Sequence, residues 1–578
     1  MAQNPPGIGS SPRLSATAPP RANSTPAPVA YSVGMRKLCA ALLLACLLFA
    51  QESADQNVSA RIRSEEAAHS QIMRTLHMLT DRYGPRLAGS PNYEAAAKWA
   101  AATLTEWGLK NAHLEPWDFG HAGWLNERAA GYLVAPAHDT LTFEVLAWTP
   151  STNGTASAGA VEVTPPEGPP VAGRGAPAAI TITPPQTEWP TRGEMTQWLE
   201  ANKAKVKGKI VLVGKAATIP VDFSPPAKRR DDAQVRAQFD PNNPNAGAGR
   251  GGRGQPSAPD PSRLTAAQIG EMVDAWLVAN GALVRVNDAA REHGQIRAFH
   301  NRTYDVDKAV PTVVLRNEDY GRIERLLNDG EDVRLEFNIV NHVYPEGKTA
   351  YNVVAEIPGT DKADEIVMLG GHLDSWHAAT GATDNAIGAT VMMEAARLIQ
   401  TLGQKPRRTI RIALWDAEEE GLLGSLAYVK QHFGTFEDPQ PEYARLVAYF
   451  NIDSGTGRVR GANVFGPPEA AAVVRAALAP FEDLGVAGAV PSTSRAVGGT
   501  DSTSFNNAGL AGIGMQQDPI EYQSHTWHTN LDTYERIVPE DARQAATVIA
   551  AAVWHVANRE QMLPRFTKER MPPPVPAR

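Results

Sequence analysis

Hydrophobic and polar positions follow different repeats in successive parts of the chain, and these repeats predict different kinds of structure. Near the start, apolar residues recur every three or four positions, as at Ile72, Leu76 and Leu79, which predicts an amphipathic helix. A second helix is predicted after Ser90. Residues 141–328 instead carry short apolar runs between Pro/Gly-rich stretches, which indicates a separate β-rich domain.

From residue 329 onward, strand-like and helix-like segments alternate. The apolar runs EIVMLGG, TIRIALWDA, ARLVAYFNID and LAGIGMQ predict strands, and segments such as ATVMMEAARLIQTL between them predict amphipathic helices. The run TIRIALWDA is almost continuously apolar, as expected for a strand that is covered on both faces. The alternation predicts an α/β fold with a mostly parallel central sheet flanked by helices.

The composition supports a large folded core and excludes one class of partner. The chain has 578 residues, of which 43% are hydrophobic, so it has material for several domains. Its net charge of -8 at pH 7 offers no basic face of the kind that nucleic acid binding requires. We therefore expect no nucleic acid partner.

These patterns divide the chain into parts with different expected order. Residues 225–262 include a run so rich in Gly and Pro that we expect a disordered loop within the β-rich domain. The expected division is a disordered or non-native extension over 1–34, a signal peptide over 35–55, an α/β domain in two parts over 60–140 and 329–562, the β-rich insert over 141–328, and a Pro-rich tail over 563–578.

The segment MRKLCAALLLACLLFA, which begins at Met35, has a basic start and an apolar run, as a secretory signal peptide has. We expect export to the periplasm or the extracellular space and no stable membrane insertion after the signal is removed. The alternatives are a membrane anchor through residues 38–50 and a lipoprotein signal at LLAC. The chain's two cysteines, Cys39 and Cys46, lie in this segment, so a mature protein would hold any metal with His, Asp and Glu.

Histidines and carboxylates follow the ends of the predicted strands. The candidates are His372, Asp374 and Asp384 after EIVMLGG, Glu418, Glu419 and Glu420 after TIRIALWDA, Asp453 after LVAYFNI, and His525 and His528 after LAGIGMQ. In open α/β sheets, ligands bind beyond the carboxyl ends of the strands. One polar residue after a strand is common, whereas four segments that deliver only metal-ligand types predict a metal site.

The residue types indicate the metal and leave two choices open. Imidazoles together with carboxylates suit zinc, and suit cobalt or manganese less well. The number of groups suggests two ions. On the residues alone, Asp384 is either a helix N-cap or a carboxylate that bridges two ions, and either His525 or His528 could be the second imidazole.

The motifs GGHLDSW, TDNAIGAT, AEEEGLLGS, NIDSG and HTNLDT resemble, in order and spacing, those of the co-catalytic-zinc exopeptidases of clan MH. GPRLAGSPN, LEPWDFGHAGW and AYNVVAEIPGT are similar to the carboxypeptidase Q (plasma glutamate carboxypeptidase) branch of that family. The resemblance covers residues 60–560, and it implies that the β-rich insert is a protease-associated domain and that the α/β parts form the peptidase domain.

The resemblance also implies a role for each candidate. The implied ligands of two Zn²⁺ per chain are His372, Asp384 as the bridge, Glu419, Asp453 and His528. Glu418 is implied as the general base and Asp374 as the residue that orients His372, while Glu420 takes a variable position. At Asn385 the chain departs from the carboxypeptidase Q pattern, which tends to have an acidic residue there.

The function that follows is a secreted di-zinc metallo-exopeptidase that hydrolyses dipeptides or short peptides with a metal-activated water. The substrate pocket is expected to include Arg495 as a partner for a substrate carboxylate, His377 at the mouth, and Trp527 against a substrate side chain. The expected partners are a peptide substrate and, in a homodimer, a second copy of the chain. The alternatives are an aminopeptidase, a glutaminyl cyclase-like acyltransferase with one zinc, and a non-catalytic receptor-like protein.

Overall fold

In the computed structural model, the described part of the chain forms one compact unit. The structure describes residues 55–166, 189–221, 223, 226, 228–243 and 261–575. The predicted extension over 1–34 lies outside these residues, as does the predicted signal peptide over 35–55 apart from its last position. Residues 225, 227 and 244–260 of the predicted loop and 576–578 of the tail lie outside them as well.

Helices account for much of the described chain. Within the described residues the α-helices are α1 (Gln56–His69), α2 (Ile72–His77), α3 (Pro91–Glu106), α4 (Arg192–Asn202), α5 (Asp232–Phe239), α6 (Ala266–Ala279), α7 (Asn317–Asn328), α8 (Ile387–Thr401), α9 (Leu423–His432), α10 (Pro468–Leu478), α11 (Ser502–Asn507) and α12 (Pro539–Asn558). None of the helices in the described part of the chain combines the length and the apolar character needed to cross a bilayer.

The strands form two sheets of eight. Within the described residues they are β1 (Lys110–Asp118), β2 (Gly123–Ala135), β3 (Asp139–Thr140), β4 (Phe143–Val145), β5 (Thr155–Val163), β6 (Ile210–Val213), β7 (Val284–Asp288), β8 (Thr312–Leu315), β9 (Arg334–Tyr344), β10 (Thr349–Ile357), β11 (Lys362–His372), β12 (Arg408–Trp415), β13 (Leu446–Asn451), β14 (Val459–Phe465), β15 (Ala489–Ser492) and β16 (Gly512–Gln517).

The first sheet has the order β1-β10-β12-β11-β13-β16-β14-β15, and its four central strands, β12, β11, β13 and β16, run parallel. Both faces are covered, as β11 shows. Val367 and Leu369 belong to the core formed with α1, α2, α3, α8, α10 and α12, whereas Ile366 and Met368 belong to the core that α9 and α11 cover. Successive side chains of a strand point to opposite faces, so residues 366–369, which are buried on both faces, are all apolar. The predicted α/β fold is confirmed.

The register of the central strands brings their carboxyl ends to one edge. In the parallel pair of β11 and β12, His372 lies opposite Trp415, and in the pair of β11 and β13, Gly370 lies opposite Asn451. The residues that follow Trp415 and Asn451 therefore emerge beside His372. This is the edge at which the sequence predicts the metal site.

The second sheet has the order β3-β2-β9-β5-β6-β7-β8-β4. It mixes the antiparallel pairs at its ends with a parallel run from β5 to β8. This sheet includes residues on both sides of the predicted insert over 141–328. Its strands β2 and β9 pair antiparallel, with Gly123 opposite Tyr344 at one end and Ala135 opposite Arg334 at the other. The predicted bounds leave out these two long strands, which lead into and out of the insert.

Part of the predicted disordered loop over 225–262 is ordered. Asp231 caps α5, because its side chain accepts hydrogen bonds from the backbone N–H groups of the second and third residues that follow. Val235 and Phe239 of α5 are buried in a small core with Val490. The expectation of disorder is wrong for residues 231–239, because contacts with a distant segment hold a short helix whose sequence neighbours are rich in Gly and Pro.

We expect Phe239→Ala to lower the free energy of unfolding by about 3 kcal/mol, since the ring is buried and truncating a buried Phe removes its packing and leaves a cavity. Chemical denaturation monitored by tryptophan fluorescence measures this change. Gln234→Ala, at an exposed position of the same helix, is the matched control and should have little effect. Equal stability of the two variants would show that α5 does not pack against the first sheet.

Candidate metal centre

Two groups of potential metal ligands lie at the carboxyl edge of the first sheet. One group consists of His372, Glu418 and Asp453, and the other consists of Asp384, Glu419 and His528. Within each group the ligand atoms all lie within 4.8 Å of one another. The structure thus brings the five predicted ligands and the predicted base together from four segments of the chain.

Asp384 lies between the two imidazoles. Its Oδ1 atom is 3.3 Å from Nε2 of His372, and its Oδ2 atom is 3.2 Å from Nε2 of His528. Each oxygen of one carboxylate thus faces a different histidine, which is the arrangement expected of a carboxylate that bridges two cations.

The remaining carboxylates divide between the two imidazoles. Nε2 of His372 is 3.6 Å from Oδ1 of Asp453 and 4.0 Å from Oε2 of Glu418. Nε2 of His528 is 2.9 Å from Oε2 of Glu419. Of these three carboxylates, Glu419 lies nearest to its histidine, His528. Around His372, Glu418 lies farther from Nε2 than Asp453 does.

The side chains of this centre have the properties of an ion site. Nε2 of His372, Oδ2 of Asp384 and Oε1 of Glu419 are buried and have no hydrogen-bond partner among the described residues. Burial, with the charge of Asp384, raises the pKa of Glu419 to about 7. Buried polar and charged groups of this kind are stabilised by pairing or by coordination of a metal. Imidazole nitrogens with carboxylate oxygens fit zinc.

Asp374 fixes the orientation of residues in both groups. Its backbone carbonyl accepts a hydrogen bond from Nδ1 of His372 at 3.1 Å, so in the neutral imidazole Nε2 is the nitrogen that can bind a cation. Its carboxylate accepts hydrogen bonds from the backbone N–H groups of Glu418 and Glu419, each at 3.2 Å. Asp374 is fully buried, so these contacts are shielded from water.

Asp532, which the sequence analysis did not single out, holds the turn that carries Asp384. Its carboxylate accepts hydrogen bonds from the backbone N–H groups of Thr383 at 2.5 Å and Asp384 at 3.1 Å. Burial and the charge of Asp384 raise the pKa of Asp532 to about 7. The only sequence signal for this role is its place in the motif HTNLDT.

Arg86 is a second supporting residue that the sequence analysis did not assign. Its buried guanidinium donates hydrogen bonds to five backbone carbonyls, which belong to Leu79, Gly84, Leu373, Thr380 and Gly381. Three of these carbonyls belong to the loop after β11: Leu373 directly precedes Asp374, and Thr380 and Gly381 shortly precede Asp384. Arg86 therefore ties the loop after β11 to the segment between α2 and α3.

Backbone strain accompanies the ligand-bearing loops. His528 has a φ of 61° and Ala417, directly before Glu418, has a φ of 53°. Non-glycine residues in this left-handed region cost about 1–3 kcal/mol each and tend to occur where surrounding structure imposes them for function. Here the imposed conformation directs the side chains of Glu418 and His528 toward the centre.

The structure separates the two candidate histidines. His525 lies outside the two ligand groups, with Nδ1 at 2.9 Å from the hydroxyl of Ser524 and its ring stacked on His293. His528 is the histidine beside Asp384 and Glu419.

Two predicted substrate contacts are wrong. Arg495 is buried and its guanidinium is bound by both carboxylate oxygens of Glu437 and by the carbonyls of Asn507 and Pro572, so it is not available to a substrate. His377 donates a hydrogen bond from Nε2 to the carbonyl of Val145 at 2.6 Å, and burial lowers its pKa to about 4. Its ring packs edge-on against Trp124 rather than at the mouth of the site.

A cavity of about 590 Å³, here named the cleft, opens beside the second ligand group. Trp376, Glu419, Trp527 and His528 line it from the first-sheet side. Residues of the second-sheet side line the rest, among them Asp274, Arg285, Phe299, His300 and Arg302. Trp527 lines the cleft, with the guanidinium of Arg297 over its ring, and its contact with a substrate side chain stays a prediction.

Comparison with protein families and curated proteins gives a consistent result. Residues 352–553 match Peptidase family M28. The chain is 26% identical over 490 residues to carboxypeptidase Q from Rattus norvegicus, which covers 85% of this chain and 86% of the rat protein. It is 25% identical over 498 residues to carboxypeptidase Q from Homo sapiens, which covers 86% of this chain and 88% of the human protein.

Solved structures show the same fold. A Peptidase M28 precursor from Shewanella amazonensis SB2B has a TM-score of 0.59 and 24% identity, covering 89% of this chain and 99% of that one. A zinc aminopeptidase from Bacillus subtilis has a TM-score of 0.51 and 19% identity, covering 85% of this chain and 95% of that one.

Proposed function

We propose that this chain is a di-zinc exopeptidase that hydrolyses dipeptides or short peptides, because residues 352–553 match Peptidase family M28 and most of the chain is similar to carboxypeptidase Q. The observation that carries this proposal is the placement of Asp384. One carboxylate that turns one oxygen toward His372 and the other toward His528 suits two cations side by side.

The proposed ligand sets follow from the distances. His372 and Asp453 would hold one zinc ion, Glu419 and His528 would hold the other, and Asp384 would bridge them. Glu418 stays the proposed base, since it lies farther from His372 than Asp453 does, the other carboxylate of its group.

The proposed chemistry is a hydrolysis in which Glu418 moves the proton. Two zinc ions bound here would lower the pKa of a water molecule and polarise the scissile carbonyl. The carboxylate of Glu418 takes a proton from the attacking water and passes it to the leaving amine. Asp374 holds the backbone of Glu418 and Glu419 in place, so that the base and the neighbouring ligand keep their separate directions.

The size of the cleft favours short substrates. A cavity of about 590 Å³ that is lined from both sheets has a size that suits a small ligand such as a short peptide. The rat and human relatives are named carboxypeptidase Q and the Bacillus subtilis neighbour is named an aminopeptidase. We propose the carboxypeptidase Q-like reaction, with removal of the amino-terminal residue as the alternative.

Three further properties belong to the same proposal. The protein is exported through residues 35–55, acts as a homodimer, and uses the second sheet as a protease-associated domain beside the catalytic edge. The contact that supports the last point is the cleft itself, whose lining comes from both sheets.

Metal removal is the direct test. We expect a strong chelator to abolish hydrolysis of short peptides and added zinc to restore it, with two zinc ions per chain by elemental analysis. Products from free, N-acetylated and C-amidated peptides then identify the end at which the enzyme acts. Full activity of a metal-free preparation would refute the proposal. One zinc per chain with cyclase activity would favour an acyltransferase, and absence of both zinc and activity would favour a binding protein.

A further inference from the structure

The second-sheet wall of the cleft carries three charged side chains. Asp274 in α6, Arg285 in β7 and Arg302 in the loop after β7 line the cavity that Glu419 and His528 line from the other side. Two cations and one anion give this wall an excess of positive charge. The charges therefore face the same space as the metal centre without belonging to it.

Arg285 is held in a fixed orientation and keeps free donors. Its side chain is 15% exposed, and it donates hydrogen bonds from Nε to Oδ1 of Asn287 at 2.9 Å and from Nη1 to Oδ1 of Asp274 at 2.6 Å. Nη2 has no hydrogen-bond partner among the described residues. The two existing bonds set the plane of the guanidinium, so binding a ligand at Nη2 requires little additional ordering.

Arg302 adds a second cation at the same wall. Its side chain is exposed and forms no ion pair with the described residues, and its charge acts on Asp274. Its φ of 67° is unusual for a non-glycine residue, and its backbone N–H donates to Nδ1 of His300 at 2.8 Å. This imposed turn directs residue 302 to the cleft lining.

The ligand that this wall fits is a carboxylate. A guanidinium presents paired N–H donors that match the two oxygens of a carboxylate, and the excess positive charge repels a terminal ammonium group. In a short peptide, the anion present whatever the side chains is the carboxyl terminus. We propose that Arg285, assisted by Arg302, binds the terminal carboxylate of a short peptide whose scissile carbonyl lies at the metal centre.

This inference rests on the proposed exopeptidase function and makes it more specific. The distance between the metal centre and Arg285 is set by the fold, and an extended chain advances about 3.3–3.6 Å per residue. The number of residues between the scissile bond and the carboxyl terminus is then limited by the cleft. The enzyme would then distinguish its peptide substrates by their length and by their free terminal carboxylate more than by the side chain of the terminal residue.

The test compares peptide acids with their C-terminal amides. For the zinc-loaded parent, we expect kcat/KM on dipeptide and tripeptide acids to exceed that on the matching amides at least tenfold. Arg285→Gln should lower kcat/KM on the acids at least tenfold, mainly through KM, and leave the amides unchanged. Arg285→Lys should restore part of the loss, and Arg302→Gln should produce a smaller loss of the same kind.

Control variants separate binding from folding. Asp274→Asn combined with Arg285→Gln removes both charges of the pair, so no buried carboxylate is left without its cation, and it should show the same loss on acids. Arg322→Gln removes a guanidinium of the second-sheet part that pairs with Asp139 away from the cleft, and should retain parental kinetics. Zinc content and melting temperature are measured for every variant.

The outcomes distinguish this inference from the proposed function. If the parent hydrolyses peptides with two zinc ions bound but treats acids and amides alike, the inference is wrong and the proposed function stands. The inference is also wrong if Arg285→Gln affects acids and amides equally. If the zinc-loaded parent hydrolyses no peptide, the proposed function fails and the inference fails with it.

Discussion

Glu418→Gln is expected to lower kcat on short peptides at least about a hundredfold and to leave the zinc content of the protein unchanged. The substitution removes the group that accepts the proton of the attacking water while it preserves the size of the side chain. The backbone N–H that Asp374 binds is also preserved, so the adjacent ligand Glu419 keeps its place. Steady-state kinetics and elemental analysis of the same preparation measure the two effects.

Glu419→Gln is the matched comparison, since it makes the same chemical change one residue away. Oε2 of Glu419 is 2.9 Å from Nε2 of His528, so the loss of its charge should release metal and activity together. If Glu418→Gln loses zinc and Glu419→Gln retains it, the roles of the two glutamates are reversed. That result would agree with the placement of Glu418 in one ligand group with His372 and Asp453.

Arg86→Met is expected to lower the free energy of unfolding by at least about 4 kcal/mol, a large part of the 5–15 kcal/mol typical of a folded protein. The guanidinium is fully buried and satisfies five backbone carbonyls, and each buried acceptor left without a partner costs about 1–3 kcal/mol. Chemical denaturation and the yield of folded protein measure the effect. Zinc affinity should fall as well, because the loop that carries Asp374 loses its support.

The exposed Arg82 provides the control, because Arg82→Met makes the same substitution in the same segment without burial and should be nearly neutral. Arg86→Lys tests whether the shape of the guanidinium matters. A lysine ammonium group keeps the positive charge, but it is too compact to reach all the carbonyls that the planar guanidinium binds. It should be destabilising too. Parental stability of Arg86→Met would show that the loop after β11 is held by its own contacts.

The sequence predicted the central strands of the first sheet well because they are buried on both faces, so that β11 and β12 carry long apolar runs such as 366–369 and 412–415. It predicted the second sheet less well. Strands β2 and β9 mix buried residues with half-buried and exposed ones, and they belong to a sheet whose members are far apart in the chain. Helix α5 was missed because it is stabilised by the packing of Phe239 against Val490, and the composition of the local sequence gives no sign of this distant contact.

The candidate ligands could be predicted because parallel strands bring their carboxyl ends to one edge, so that His372, Glu419 and Asp453 must be near one another. The residues that contact the substrate could not be predicted in this way. A single arginine or histidine in a sequence does not show which partner it has, and Arg495 and His377 prove to be bound by Glu437 and Val145. Arg285 was not considered because its strand lies in the other sheet, and only the cavity connects it with the catalytic edge.

The pairing of β1 with β10 bears on how the two parts of this protein could be separated. Asp118 lies opposite Thr349 on adjacent antiparallel strands, so a gene that encoded a short hairpin in place of residues 119–348 would still close the first sheet. The packing of side chains between the two parts would nevertheless make such a replacement unfavourable. Trp376 and Ala417, which flank the catalytic edge, belong to the same hydrophobic core as Trp124 and Trp148 of the second-sheet part. A shortened protein would expose that apolar surface to water, so loss of the insert requires compensating changes at the catalytic edge itself.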